Sequence, residues 1–352
     1  MLRSFLPLLF FFLVSLHAHE PVDIVYTWVD GSDPVWKHEM EKMSGSHRHG
    51  PDAISTQRFR NQDELKYSLR SIHQFAPWVN HIYIVTYNQR PTWLKDTPKI
   101  TIIDHQDIFP IKSHLPSFNS MAIESNIHRI PGLQEYYLYF NDDVFLGKPV
   151  SFSDFFTDTG KIKVFLSRAK MPKGKPKPND TGFEAACKNT SQLLKKIIGK
   201  EKRYNHAHTP YPERKSVVTI IEKQFHDLFE SVSSHQFRSH RDYMITNGLI
   251  PYIALQQSSA EIATFDHTTV RFGKKLTKDK RKLQKIADQN PTFFCIEDAF
   301  ENESSEFPDE LSDFFASYFP TPAPWEKEET PITAEEIKES SAHTALDTAS
   351  KK

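Results

Sequence analysis

Residues 136–145 read Tyr136-Tyr137-Leu138-Tyr139-Phe140-Asn141-Asp142-Asp143-Val144-Phe145. The run is apolar and aromatic, delivers two adjacent carboxylates, then turns apolar again. A strand uncharged on both faces belongs inside a buried sheet. Two carboxylates at its tip are costly there unless positive charge sits beside them. A divalent cation on a diphosphate is one such partner; a β-turn that caps the next element is the other reading.

Working outward, Asp23 to Val29 is a second buried strand ending in the turn Asp30-Gly31-Ser32-Asp33-Pro34. Residues 35–60 are polar and read as a mobile loop. Asn61 to Phe75 has helical spacing, with Leu65, Leu69 and Ile72 on one face and Asn61 or Asp63 at its start. Strands are expected at 81–86 and 99–104, and a helix at 118–130. This order predicts a Rossmann-like α/β fold, a mostly parallel sheet flanked by helices. Ligands of such sheets lie beyond the carboxyl ends of the strands. Asp30, Asp33, Asp104, Asp142 and Asp143 are therefore expected on one rim.

The second half reads as helical additions. Residues 168–200 break the pattern with a Lys- and Pro-rich stretch and are expected to form a flexible insertion. Helices are expected at 216–230 and 242–256, the latter interrupted at Gly248 and Pro251, and a late strand at 263–269.

The chain has 352 residues, 38% hydrophobic and 25% charged, with a formal net charge of -1. That balance excludes a global field for nucleic acid. An anionic substrate needs a local cluster of Arg, Lys and His. Of the two cysteines, Cys187 and Cys295, neither has zinc-finger spacing, and two separate buried thiols are expected. Residues 1–19 read as a secretory signal peptide or a short anchor. Residues 20–327 are expected to form the folded unit, and 328–352 a solvated charged tail. The N-terminal segment implies the secretory pathway or cell envelope; if it is an uncleaved anchor, the alternative is a cytoplasmic, membrane-associated protein. The only expected membrane contact is through that segment.

The stretch Asp23 to Pro34 closely resembles the opening motif of the Stealth family of sugar-1-phosphate transferases. Three further blocks agree in order. These are Arg58 to Phe145, His208-Thr209-Pro210-Tyr211-Pro212 through Arg238, and Pro291 to Cys295 through Glu326. The resemblance implies transfer of a hexose-1-phosphate, N-acetylglucosamine-1-phosphate in the first instance, from a UDP-sugar to a glycan hydroxyl with release of UMP. It implies Mg²⁺ or Mn²⁺ on Asp142 and Asp143. It makes Asp143, His208 and Arg238 catalytic, His208 as a neutral proton acceptor and Arg238 as a phosphate fork. Asp23, Asp30, Gly31, Arg58, Arg60, Asn119, Glu124, Asn141 and His235 are expected to bind substrate. Lys66 is a further candidate for positive charge, with ordinary helix-surface charge the alternative for it and for Arg58 and Arg60. Trp28 and Trp78 are expected in the core. A metal-dependent glycosyltransferase releasing UDP and a non-catalytic carbohydrate-binding protein are the competing readings.

Overall fold

The computed structural model describes residues 20–45, 52–273, 276–298 and 306–328. The expected leader or anchor and nearly all of the expected tail lie outside them. Among the described residues, no helix is long and apolar enough to cross a membrane.

The strands are β1 (Val22–Thr27), β2 (Ile82–Thr86), β3 (Ile100–Asp104), β4 (Tyr136–Asn141), β5 (Val144–Leu146), β6 (Ile162–Lys170), β7 (Tyr204–His206), β8 (Tyr211–Arg214), β9 (Ala260–Ala263), β10 (His267–Phe272) and β11 (Phe293–Asp298). The main sheet runs β3-β2-β1-β4-β8. Its first four strands are parallel and β8 closes the edge antiparallel to β4. The mostly parallel α/β fold is thus observed.

Alternation along β4 explains why it lies in the middle. Leu138 and Phe140 enter a core with Ile24, Ile82 and the Leu65, Leu69 and Ile72 stripe of the Glu64–Phe75 helix. Tyr137 and Tyr139 enter a second core with Val25, Val85, Ile123 and Ile127 on the opposite face. Each such buried side chain stabilises the fold by roughly 1.5–3 kcal/mol. Thr27 is level with Asn141 in the register, so β1 and β4 end side by side.

The chain then leaves this sheet. β5 pairs antiparallel with β11, Val144 opposite Cys295, and β10 runs parallel to β11. Asp142 and Asp143 sit at the joint between the two sheets. A third sheet, β7-β6-β9, leads through β7 towards His208.

Several local expectations change. Much of the segment expected as a mobile loop is the Pro34–Ser44 helix, because Asp33 caps the N–H groups of Val35 and Trp36, and Trp36 and Met40 are buried. The expected flexible insertion contains the Gly182–Ile198 helix, begun by a Thr181–Glu184 capping box and buried through Ala186, Cys187 and Leu194. The expected helix at 118–130 is only Ser120–Glu124 followed by a 3₁₀ turn at Ile127–Arg129. The expected helix at 216–230 divides into Lys215–Gln224 and His226–Ser233. The expected late strand divides into β9 and β10. Cys187 and Cys295 are both buried free thiols, as expected.

Candidate active site

A cavity of about 400 Å³ opens beyond the carboxyl ends of β1 and β4. Asn141, Asp142, Asp143, His208, Arg58, Arg60 and Arg238 all line it. Its size suits a ligand comparable to a small cofactor.

The acidic centre comes first. Burial, then the charge of Asp143, push Asp142 up to about 7; burial likewise raises Asp143. The Asp143 backbone is fixed, since its carbonyl accepts the Ile296 N–H at 3.1 Å. Its side-chain Oδ2 accepts the Cys295 thiol at 3.3 Å. Oδ1 is buried without a hydrogen bond and lies 3.6 Å from His208 Nε2, an ion-pair separation.

His208 is held from both sides. Its Nδ1 lies 3.5 Å from Glu297 Oε1 and 3.3 Å from Cys295 Sγ, and its Nε2 lies 2.8 Å from the Asn141 amide. Burial alone would lower the imidazole. Asp143 and then Glu297 overcome it and raise His208 to about 9. In the ion-free fold these two carboxylates favour the imidazolium over the neutral ring expected from the sequence. A doubly protonated ring requires Asn141 to turn its amide oxygen towards Nε2.

The cationic wall is built from separate elements. Arg58 closes the short Thr56–Arg58 turn; its Nε and Nη1 are buried without partners. Arg238 donates from Nη2 to Ser120 Oγ at 3.1 Å, while its Nε is buried and unpaired. Burial and then Arg238 depress Arg58 to about 9; burial also lowers Arg238, against the pull of Glu124. Two guanidinium groups that line one cavity form an anion site. Arg60 lines the same cavity but is committed to Asp298 at 2.8 Å. Glu124 stands behind Arg238 and is raised to about 7 by burial, Arg238 opposing.

Five residues expected to bind substrate serve the frame instead. Asp23 lies at the opposite end of β1, wholly buried, where it accepts from Asn80 Nδ2 at 2.8 Å and the Gln134 N–H at 2.9 Å. Asp30 turns back on its own loop, accepting the Ser32 N–H and Oγ–H at 2.9 and 2.6 Å. Gly31 packs on the backbone of Phe59; a Cβ there would meet the Phe59 carbonyl oxygen at 2.5 Å. It thereby seats the Arg58–Arg60 segment. Asn119 caps the Ser120–Glu124 helix and donates to His235 O and Asp242 Oδ2 at 3.1 and 3.0 Å. His235 Nδ1 is bound to Asp242 Oδ1 at 2.6 Å. Together Asn119, His235 and Asp242 knit the loop that presents Arg238.

Other expectations on the rim also change. Asp33 and Asp104 are helix caps. Lys66 faces Glu326 at 4.0 Å, beside the bidentate Arg70–Glu326 pair, away from the cavity. Trp28 is buried in the core and touches the cavity; Trp78 is only partly buried and donates to Val150 O.

The residues not singled out from sequence are Glu64, Cys295 as a site residue, Glu297, Asp298, Ser120, Asp52 and Gly182. Glu64 lines the cavity and is raised to about 8 by burial and then Asp142. Phe293-Phe294-Cys295-Ile296-Glu297-Asp298 carries the same signal as β4, an apolar run ending in acids. Gly182 admits Arg238, whose Cβ is 2.9 Å from where a Cβ would stand, and its N–H donates to Asp52. Nothing in the local sequence marks that contact.

Comparison with known proteins follows this geometry. Four family models, Stealth protein conserved regions 1 to 4, match residues 20–48, 58–164, 207–254 and 284–336 in order. The chain belongs to the Stealth family. Those Stealth regions contain every residue of the acidic centre and both cavity arginines. An exopolysaccharide phosphotransferase of Streptomyces coelicolor is 41% identical over 311 residues, 87% of this chain and 57% of that protein. The exopolysaccharide phosphotransferase CpsY of Mycobacterium leprae is 38% identical over 324 residues, 90% of this chain and 59% of that one. The chain spans somewhat over half the length of these curated relatives. Among solved structures, the galactosyltransferase LgtC, in complex with donor and acceptor sugar analogues, aligns over 86% of this chain and 98% of its own, with 9% identity and a TM-score of 0.40.

Proposed function

We propose that this Stealth chain is an exopolysaccharide phosphotransferase that moves a hexose-1-phosphate from a UDP-sugar to a glycan hydroxyl and releases UMP. The observation that carries the reading is the pair Arg58 and Arg238, two guanidinium side chains lining the cavity that also holds Asp142, Asp143 and His208. A diphosphate in that cavity would meet both cations. N-acetylglucosamine is the first donor sugar to try, following the family resemblance.

In this reading the alcohol oxygen attacks the phosphorus that carries the sugar. The bond from that phosphorus to the bridging oxygen breaks, and UMP takes the electron pair. Charge grows on the phosphoryl oxygens, where Arg58 and Arg238 donate. The alcohol proton passes to the Asp143–His208 couple, whose Asp143 Oδ1 is unsatisfied.

The donor set fits a hard cation. Asp142 and Asp143 are half-buried oxygen ligands whose affinity for protons is raised, by burial and, for Asp142, by Asp143, and an ion would take the protons' place. Mg²⁺ or Mn²⁺ held there would neutralise the diphosphate and polarise the phosphoryl group.

The test is a panel of UDP-sugars with Mg²⁺, an acceptor glycan, and mass spectrometry of the nucleotide product. UMP with a phosphodiester-linked sugar is expected. UDP would turn the assignment to an ordinary glycosyltransferase, and binding without turnover to a carbohydrate-binding protein.

A further inference from the structure

We propose that Cys295, His208 and Asp143 form a binding site for a thiophilic divalent cation of the zinc class, and that filling it switches the transfer centre off. The site stands on its own geometry; the switch rests on the proposed function.

One donor atom from each of these residues lies within 4.8 Å of the other two. Cys295 Sγ is 3.3 Å from both Asp143 Oδ2 and His208 Nδ1. Zinc bonds sulfur at about 2.3 Å and nitrogen or oxygen at about 2.0 Å, which sets tetrahedral ligand atoms roughly 3.3–3.6 Å apart. The two sulfur edges therefore already have the length that a zinc ion imposes. The frame is also rigid. Cys295 is opposite Val144 in the β5–β11 pair, and the next residue donates its N–H to the Asp143 carbonyl. Asp143, directly before β5, and Cys295 on β11 are thus held by one hydrogen-bonded strand pair. Glu297, 3.5 Å from His208 Nδ1, stands by as a fourth ligand.

Ligand softness separates this site from the oxygen site beside it. Mg²⁺ has little use for a thiol or an imidazole, whereas zinc and cadmium favour both. Asp143 is common to the two sets. A thiophilic ion would therefore take the Asp143–His208 couple out of proton transfer. Binding forms a metal–sulfur bond and releases the thiol proton to solvent, so it strengthens as pH rises.

The experiment titrates Co²⁺ into the metal-free full chain with Mg²⁺ in excess and follows the near-ultraviolet thiolate-to-cobalt absorption. A 1:1 band that Zn²⁺ displaces is expected. Cys295→Ser and Cys295→Ala should abolish it, His208→Ala should weaken Co²⁺ binding at least tenfold, and Cys187→Ser should leave it unchanged. In parallel, Zn²⁺ should inhibit transfer in the wild type, and the residual activity of Cys295→Ser should be at least tenfold less sensitive. A folded, active enzyme without the band overturns the site, as does a band that survives in both folded Cys295 variants. Cobalt bound at Cys295 in a protein that transfers no sugar phosphate upholds the site and overturns the switch together with the functional reading.

Discussion

Arg58 and Arg238 come from distant parts of the chain and line the same cavity, and each carries a buried guanidinium nitrogen without a hydrogen-bond partner. Burial, and then the charge of Arg238, make Arg58 harder to keep charged. A protein that stores unpaired cationic donors side by side has a strong appetite for an anion.

Removing either donor set tests that appetite. Arg58→Ala and Arg238→Ala should each lower turnover ~100–1000-fold, the usual cost of one transition-state charge contact. Inorganic pyrophosphate should raise the melting temperature of the wild type and do so less in either variant. Equal pyrophosphate protection in all three would place the anion elsewhere.

Asp142→Asn separates stability from activity. The wild-type carboxyl is raised by burial and by Asp143, so losing its charge relieves repulsion in the metal-free fold. At pH 8 without divalent ions the variant should melt no lower than the wild type, yet transfer sugar phosphate at least ~100-fold more slowly. A variant that melts well below the wild type would show that Asp142 is a structural residue.

Divalent ions should stabilise the protein more as pH rises. Asp142 at about 7 and Glu64 at about 8 lie above their unfolded values, so the folded state holds extra protons. Their contribution to stability is full below the unfolded pKa values and is lost as pH rises through the folded ones. Mg²⁺ competes with the same protons. The gain in melting temperature from Mg²⁺ should therefore grow between pH 5.5 and 8 and be largely absent in Asp142→Asn. A gain independent of pH would remove the carboxylates from ion binding.

Asp23 should act on stability alone. Asp23→Ala removes a wholly buried acceptor from the Asn80 amide and the Gln134 N–H, at a cost of about 1–3 kcal/mol. Turnover per folded molecule should stay within a factor of about two at saturating substrate. A large loss of kcat without a loss of melting temperature would return Asp23 to the site.

Gly31→Ala should damage both. The added methyl meets the Phe59 carbonyl, so the segment carrying Arg58 and Arg60 must shift. Overpacking of this kind costs about 1–3 kcal/mol, and misplacing Arg58 should raise KM for the sugar nucleotide. Unchanged kinetics would show that Arg58 does not need that seat.

The parallel strands and the tip of β4 were legible in the amino-acid order, because side chains buried on both faces leave an uninterrupted apolar run whose end must be polar. Asp142, Asp143, His208 and Arg238 were legible through a family pattern spread across the chain. What residue order did not separate was a carboxylate facing the cavity from one facing the frame. Asp23 and Asp142 both flank apolar strands, yet they stand at opposite ends of adjacent parallel strands. Likewise Asn119 and His235 belong to the loop that carries Arg238 without entering the cavity.

By itself, then, the sequence determined the layered α/β sheet, the carboxylate pair at its rim and the family. Tertiary structure alone decided that β11 would bring Cys295, Glu297 and Asp298 to that rim, and that Gly31 and Gly182 would leave room for the two arginines. Local hydrophobic periodicity acts between near neighbours in the chain, whereas a charged centre is assembled by long-range strand pairing and close backbone approach. Only the folded chain brings these groups together.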